Sequence, residues 1–334
     1  MGMAGSVRWG IIGTANIARS SFLPAVREAG GEPAAVAGRD RDRTQAWARD
    51  NGIGRAVTGY QRLIDDPGID VLYIPLPNAL HADWTIAALA AGKPVLCEKP
   101  LTGSVADTER VLAAAVDSGI PLWEAFVFPF RDQHERLRRL LADGVIGDLR
   151  EIQSNFHFLM TDATGNIRMD PALAGGALAD VGCYPVWLAR DLFGAEHETA
   201  WATAEWDAGG VDVATWGTLG FPGGRRLLLS CGFGRPGDTF SRLLGTRGQI
   251  NVTNPFHPRA GDTFEVHVFG EEPVIHPGTA RDQHTFTAAI RHIQAVVRGE
   301  EAPRQLAVDT SLGSARALAD LIESARSGAV IRQG

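Results

Sequence analysis

The chain has 334 residues, 45% of them apolar, with a net charge of -7 and acidic and basic residues interspersed. That length exceeds the usual single core, so two domains are expected, and the charge offers no basic face for nucleic acid and no polybasic membrane anchor. Cys97, Cys183 and Cys231 stand far apart without a CxxC pair, which argues against a zinc site or a disulfide framework and fits a reducing cytoplasm.

The opening MGMAGSVRWGIIG is too short an apolar run for a signal peptide and leads straight into a strand; no run approaches a membrane span. A soluble cytoplasmic protein acting on a small molecule is therefore expected. The strand Val7 to Ile12 ends at Gly13, and Ile17, Phe22 and Val26 follow at helical spacing. The turn between them, Gly13-Thr14-Ala15-Asn16-Ile17-Ala18, reads GxAxxA where the dinucleotide fingerprint asks for GxGxxG or GxGxxA. Gly13 permits the tight turn, Ala15 is nearly as small as the glycine that lets backbone approach pyrophosphate, and Ala18 permits close packing of helix on strand. By itself the pattern also describes a plain strand-to-helix turn.

A second strand, Pro33 to Ala37, ends in Gly38-Arg39-Asp40, with glycine where an NAD site places the acid that binds the ribose 2'-hydroxyl. Guanidinium groups chelate phosphate oxygens, so Gly38 and Arg39 point to NADP over NAD, with Asp40 able to reverse the preference if it swings inward. Arg41 and Arg43 read as a solvated helix start. The alternation continues with a strand Val71 to Ile74, the loop Pro75-Leu76-Pro77-Asn78, a helix Ala79 to Ala91, a strand Pro94 to Cys97 and a helix from about Ser104 to Ser118. Such alternation implies a doubly wound parallel sheet with ligands at the carboxyl ends of its strands. Leu76 and Pro77 then border the nicotinamide ribose, Asn78 caps the next helix, and His81 is either a cofactor contact or a packed helix histidine. The stretch VLCEKPL places Glu98, Lys99 and Pro100 at the mouth of a buried strand, where Lys99 faces the cofactor crevice or else is a solvated turn lysine.

From Gly147 the pattern changes to long β-like segments: Leu149 to Phe158, Thr199 to Trp206, Ala214 to Phe221, Arg225 to Phe233, Phe240 to Leu244 and Phe264 to Phe269. The fold expected is an α/β Rossmann domain over residues 1–126, followed by an α+β domain over 127–334 with a large, open-faced, mostly antiparallel sheet. Between the first two long segments GGALADVGCYPVWLARDLFG reads as a helix with Asp180 and Tyr184 on one face, and Gly182 between them leaves room for a ligand to approach. An open sheet face exposes apolar strips, so a homodimer or homotetramer is expected.

With GTANIA, IPLPNALH, CEKPL and GGALADVGCYP in that order, the chain resembles the Gfo/Idh/MocA family of oxidoreductases over nearly its whole length. It looks closest to the branch of NADP-linked xylose and dihydrodiol dehydrogenases and deoxysugar 3-ketoreductases. The resemblance implies oxidation or reduction of a carbohydrate, cyclic polyol or diol with NADP or NAD. It also implies that Lys99 and Tyr184 handle the proton, that Asp180 orients the substrate, and that Glu98 and Pro100 line the nicotinamide pocket. Many relatives carry histidine at the position of Tyr184 and a histidine-rich segment where this chain reads Phe128-Pro129-Phe130-Arg131-Asp132-Gln133-His134, so Phe130 and Arg131 are expected to present a different substrate surface. Arg168 and His157 either reach the pocket or, the favoured reading, are surface or core-satisfying residues.

Free tyrosine and lysine ionise near about 10, so neither is a good base at neutral pH without help. An ammonium at Lys99 favours the Tyr184 phenolate, which makes Tyr184 the immediate relay and Lys99 its electrostatic partner; the reverse assignment also stands. Two rival functions are a cofactor-binding regulator without turnover and cofactor-retaining glycoside or lyase chemistry. No metal is called for.

Overall fold

The computed structural model describes residues 5–259, 261–278 and 283–333. The chain divides into two compact units, Met1–Val127 with Asp282–Leu312, and Phe128–Arg281 with Gly313–Gly334. A single crossing at 126/127 does not describe this division, because a late segment returns to the first unit. Nothing in its composition announces that, since helices of either unit bury similar apolar stripes.

In the first unit the strands are β1 (Arg8–Ile12), β2 (Glu32–Gly38), β3 (Arg55–Thr58), β4 (Val71–Ile74), β5 (Val95–Cys97) and β6 (Leu122–Glu124). They form a six-stranded sheet in the order β3-β2-β1-β4-β5-β6 with every pairing parallel. Every residue of β4 and β5 is buried, as a parallel sheet covered on both faces requires. The helices are α1 (Leu23–Glu28), α2 (Arg41–Asp50), α3 (Tyr60–Ile64), α4 (His81–Ala90) and α5 (Val105–Ser118). Ser104 caps α5 by accepting the Asp107 amide, and Gly119 closes it in the left-handed region. Under the sheet, Phe22 stacks on Tyr73 at 3.8 Å and meets the edge of the fully buried Trp9 at 5.2 Å. Glu28 accepts the amides of Gln283 and His284, tying the returning segment to α1.

The second unit contains α6 (Asp132–Ala142), β7 (Leu149–Leu159), α7 (Cys183–Phe193), β8 (Thr199–Trp206), β9 (Asp212–Phe221), β10 (Arg225–Gly232), β11 (Gly234–Gly245), β12 (Gly248–Val252), β13 (Thr263–Val268) and β14 (Val274–Pro277). After α8 (Thr287–Val297), the helix α9 (Ala307–Ser327) and the strand β15 (Ile331–Arg332) complete the chain. The nine-stranded sheet runs β14-β13-β12-β11-β7-β10-β9-β8-β15. Among the described residues only the β7–β10 pair of this sheet is parallel. Register lines up Ala200, Leu219, Leu227, Ile152, Leu243, Ile250 and Val266 in one row across seven strands, all of them buried. That row is the floor of the core on which α7 packs; Trp201 and Leu228 lie on the opposite face and are exposed. The stretch Pro171–Phe193 is long and apolar enough to cross a bilayer, but 67% of its most apolar window is buried in this core.

Candidate functional site

In the first unit the carboxyl ends of β1, β2, β4 and β5 bring together the turns singled out in the sequence. Gly13 has φ +107, its amide donates to Ala37 O at 2.8 Å, and a side chain there would meet Leu76 Cδ2 at 2.9 Å. Glycine is therefore required at 13 twice, by the turn and by the leucine packed against it. Thr14 and Ala15 are half-buried, while Asn16 and Ile17 are exposed at the open end of the turn, with Asn16 Oδ1 accepting from Arg19. The next turn, Ala18–Phe22, is wider than an α-helical one and leads into α1.

At the end of β2, a Cβ on Gly38 would run into the Thr44 hydroxyl, which donates to the Asp40 carbonyl. Asp40 caps α2 by accepting the Arg43 amide at 2.8 Å, so its carboxylate is spent on the helix. Arg39 is exposed and forms no ion pair among the described residues. A cation next to a glycine that cannot be exchanged for an acid suits a phosphate better than a bare ribose.

At the end of β4, Pro77 occupies the cap position of a short turn, Asn78–Leu80, with no side-chain cap bond. The expected capping by Asn78 is corrected: the proline supplies the extended geometry, and α4 starts only at His81. His81 is fully buried, with Nδ1 3.0 Å from Pro100 O and Nε2 2.7 Å from Leu76 O. It ties the PLPN loop to the EKP turn. Burial pushes its proton affinity below the usual imidazole range and Lys99 adds to this, against the two carbonyls, which raise it.

Lys99 is half-buried, and its bond to Pro100 is cis. Around it the backbone is held from several sides. The Tyr73 hydroxyl donates to Glu98 Oε1 at 2.7 Å, the Lys99 amide donates to Glu98 Oε2 at 3.3 Å, and the Leu101 amide donates to Glu124 Oε1 at 2.8 Å. The second oxygen of Glu124 accepts from Ser311. Glu124 and Tyr73 went unremarked in the sequence; an acid closing the apolar strand β6 was the available signal.

In the second unit Leu178–Gly182 forms a wide helical turn that carries Asp180 and continues into α7, whose first turn carries Tyr184. Asp180 Oδ2 accepts from Arg168 Nε at 2.6 Å, so Arg168 belongs to this site rather than to the bare surface. The helix start is anchored by Asp212, whose carboxylate accepts the Leu178 amide at 2.7 Å and the Thr215 hydroxyl at 2.9 Å. Burial, partly offset by these donors, pushes the Asp212 carboxyl up to about 6. Gly182 does not open space for a ligand: a Cβ there would meet Cys231 Sγ of β10 at 2.9 Å, so the glycine lets the helix lie close on the sheet.

Tyr184 is 7% exposed, among Phe128, Phe156, Phe256 and His257, with ring centroids 5.2 to 6.2 Å away. Phe130 and Arg131, expected to present a different substrate surface, are both buried, as are Gln133 and His134. His157 is buried against the Ser230 hydroxyl of β10. Among the described residues no group of three or more histidine, cysteine or acidic side chains could hold a metal.

Residues 7–126 match the model of the oxidoreductase family with the NAD-binding Rossmann fold, and residues 134–251 match the GFO/IDH/MocA C-terminal domain. The chain is 34% identical over 323 residues to D-xylose 1-dehydrogenase (NADP(+)) 2 of Haloferax volcanii, covering 97% of this chain and 98% of that one. The chain belongs to the Gfo/Idh/MocA oxidoreductase family. It is also 37% identical to the dTDP-3,4-didehydro-2,6-dideoxy-alpha-D-glucose 3-reductase of Streptomyces violaceoruber, covering 97% of this chain and 96% of that one. The crystal structure of KijD10, a 3-ketoreductase from Actinomadura kijaniata, in complex with NADP and TDP-benzene is 31% identical. It superimposes with a TM-score of 0.85 over 96% of this chain and 98% of that one. Lysine-to-alanine and tyrosine-to-phenylalanine variants of KijD10 have been solved with the same two ligands.

Proposed function

We propose that this member of the family is an NADP-dependent oxidoreductase acting on a hydroxyl or carbonyl carbon of a sugar, cyclic polyol or diol, with Lys99 and Tyr184 handling the proton. The observation that carries the cofactor preference is the Gly38–Thr44 contact beside the exposed Arg39, with Asp40 committed to capping α2. Gly13, Thr14, Ala15, Asn16 and Ile17 would hold the pyrophosphate at the helix start, and Gly38 and Arg39 the 2'-phosphate. Leu76, Pro77, Asn78, Glu98, Lys99 and Pro100 would border the nicotinamide, with His81 bracing two of those loops from beneath. When bound, the dinucleotide supplies or takes the hydride.

The chain's own task is then the proton. Tyr184 relays it at its phenolic oxygen, and the Lys99 ammonium favours the phenolate; Asp180, held by Arg168, orients a substrate hydroxyl. Variants of a lysine and a tyrosine in KijD10 support attention to these two residue types. The test is absorbance of reduced cofactor with NADP and a panel of aldoses, inositols and diols. Lys99→Met and Tyr184→Phe should each lower kcat by about 100-fold or more at unchanged NADP affinity. Full activity in either variant removes that residue's role, and NADP binding without turnover on any substrate favours a regulator.

Association through the open sheet face belongs to the same reading, supported by the exposed Trp201 of β8 and Leu228 of β10, which lie in one row on either side of Thr218 of β9. A monomer in sedimentation at micromolar concentration would overturn it. A cytoplasmic setting suits the three buried cysteines, which form no disulfide among the described residues.

A further inference from the structure

The polar residues Arg131 and Gln133 of the segment Phe128–His134 are buried, with definite partners. Gln133 Nε2 donates to Asn254 O at 2.9 Å and to Pro255 O at 3.4 Å, and Arg131 Nη2 donates to Pro258 O at 3.4 Å. Both side chains therefore brace one loop, residues 254–259. The loop is also closed on itself. Asn254 accepts the His257 amide at 3.2 Å and donates to the His257 carbonyl at 2.6 Å, while Asp262 accepts from Asn254 at 2.9 Å and from the Arg259 amide at 2.7 Å.

Bracing of this density fixes what the loop presents. Phe256 is fully buried and stacks on Phe156 at 5.7 Å, anchoring the loop from below. With its backbone amide and carbonyl both held by Asn254, His257 has its ring as the directed group. That ring is half-buried, 5.4 Å from the Tyr184 ring and 5.7 Å from the Phe156 ring. A polar ring held at the edge of an aromatic cluster beside a phenol is placed to accept or donate a hydrogen bond to what the phenol serves.

We infer that His257 is a substrate-binding residue of this site, contacting a hydroxyl of a polyhydroxylated substrate next to the carbon that Tyr184 serves, and that Arg131 and Gln133 are the residues that position it. The inference rests on the sugar-oxidoreductase reading.

The chain has three tyrosines, Tyr60, Tyr73 and Tyr184, so labelling with 3-fluorotyrosine yields three fluorine resonances, and Tyr184→Phe identifies that of Tyr184. D-Xylose is titrated into the full chain with NADPH present, so that no turnover occurs. The Tyr184 resonance should move saturably, and His257→Phe should weaken that binding about tenfold, as loss of a hydrogen bond does. His257→Gln should restore most of it, with NADPH affinity unchanged in both variants. Gln133→Leu should weaken binding in the same direction but add nothing once His257 is phenylalanine. A His257→Phe curve that overlays the wild type overturns the inference while leaving the sugar reading intact. A wild-type Tyr184 resonance indifferent to D-xylose and to every other aldose, inositol and diol of the panel removes that reading and the inference with it.

Discussion

Glu124 accepts the amide of Leu101 at 2.8 Å, two residues beyond Lys99, and its other oxygen accepts from Ser311. The carboxylate lies at the end of β6, next to the strand that carries the lysine, and it is 7% exposed. It holds the far side of the turn whose near side His81 holds through Pro100 O. The lysine is thus presented by a backbone gripped by buried side chains from the neighbouring elements, the arrangement that keeps a reacting group in place.

Glu124→Ala leaves the buried Leu101 amide without its acceptor, at a cost of about 1 to 3 kcal/mol. The variant should melt earlier and lose kcat while keeping its NADP affinity. Glu124→Gln retains an acceptor and should recover most of the turnover. Thermal melting with steady-state kinetics checks this; an alanine variant with wild-type kcat would show that the turn holds itself.

Arg39→Ala should raise the KM for NADP by about tenfold or more and leave NAD almost unaffected, since a charge-assisted phosphate contact contributes about 1.5 to 3 kcal/mol. Gly38→Asp should not convert the enzyme to NAD. The new side chain meets the Thr44 hydroxyl, so the variant is expected to lose stability first. Measuring both cofactors with both variants separates these outcomes; equal losses for NAD and NADP in Arg39→Ala would place the guanidinium away from the 2'-phosphate.

The Asp212 carboxyl is pushed up to about 6 from an ordinary value of 3.8, mainly by burial. The folded chain therefore binds this proton more tightly than the unfolded chain, so the ionised group costs stability above pH 6, and the cost is relieved as pH falls from 6 toward 3.8. Asp212→Asn has no such dependence. Between about pH 7.5 and about pH 5 the wild type should gain about 1 kcal/mol relative to that variant. Chemical denaturation of both proteins at the two pH values reads the difference; parallel stabilities would mean that the carboxyl titrates normally.

Much of the architecture was legible in the chain because its signals are local. The switch from alternating strands and helices to long β-like runs near Gly147 marks the change of sheet, and the alternation of Ile152, Ser154 and Phe156 points one side of β7 inward. β6 and β12 were left unread although they carry buried apolar residues, whereas β3, β14 and β15 were left unread because they are short or polar. In β3 only Val57 is even half-buried, β14 is an edge strand with Val274 and Ile275 exposed, and β15 has two residues. Their stability comes from a paired neighbour, which leaves no hydrophobic pattern in the strand itself. The candidate site divides in the same manner. Gly13, Lys99 and Tyr184 stood out through motifs, whereas Glu124, Asp212 and His257 carry no motif and gain meaning only from the backbone groups and rings they meet.

The order of glycine turn, PLPN loop, EKP turn and GGALADVGCYP helix was sufficient by itself to define the family and the parallel sheet, since each rests on spacing within one strand, turn or helix. Only the tertiary structure decided that the segment 282–312 returns to the first unit, that Arg131 and Gln133 brace a distant loop, and that Gly38 is required by Thr44. Those facts depend on which side chains approach across long separations in the chain, and close packing settles that after the elements have formed.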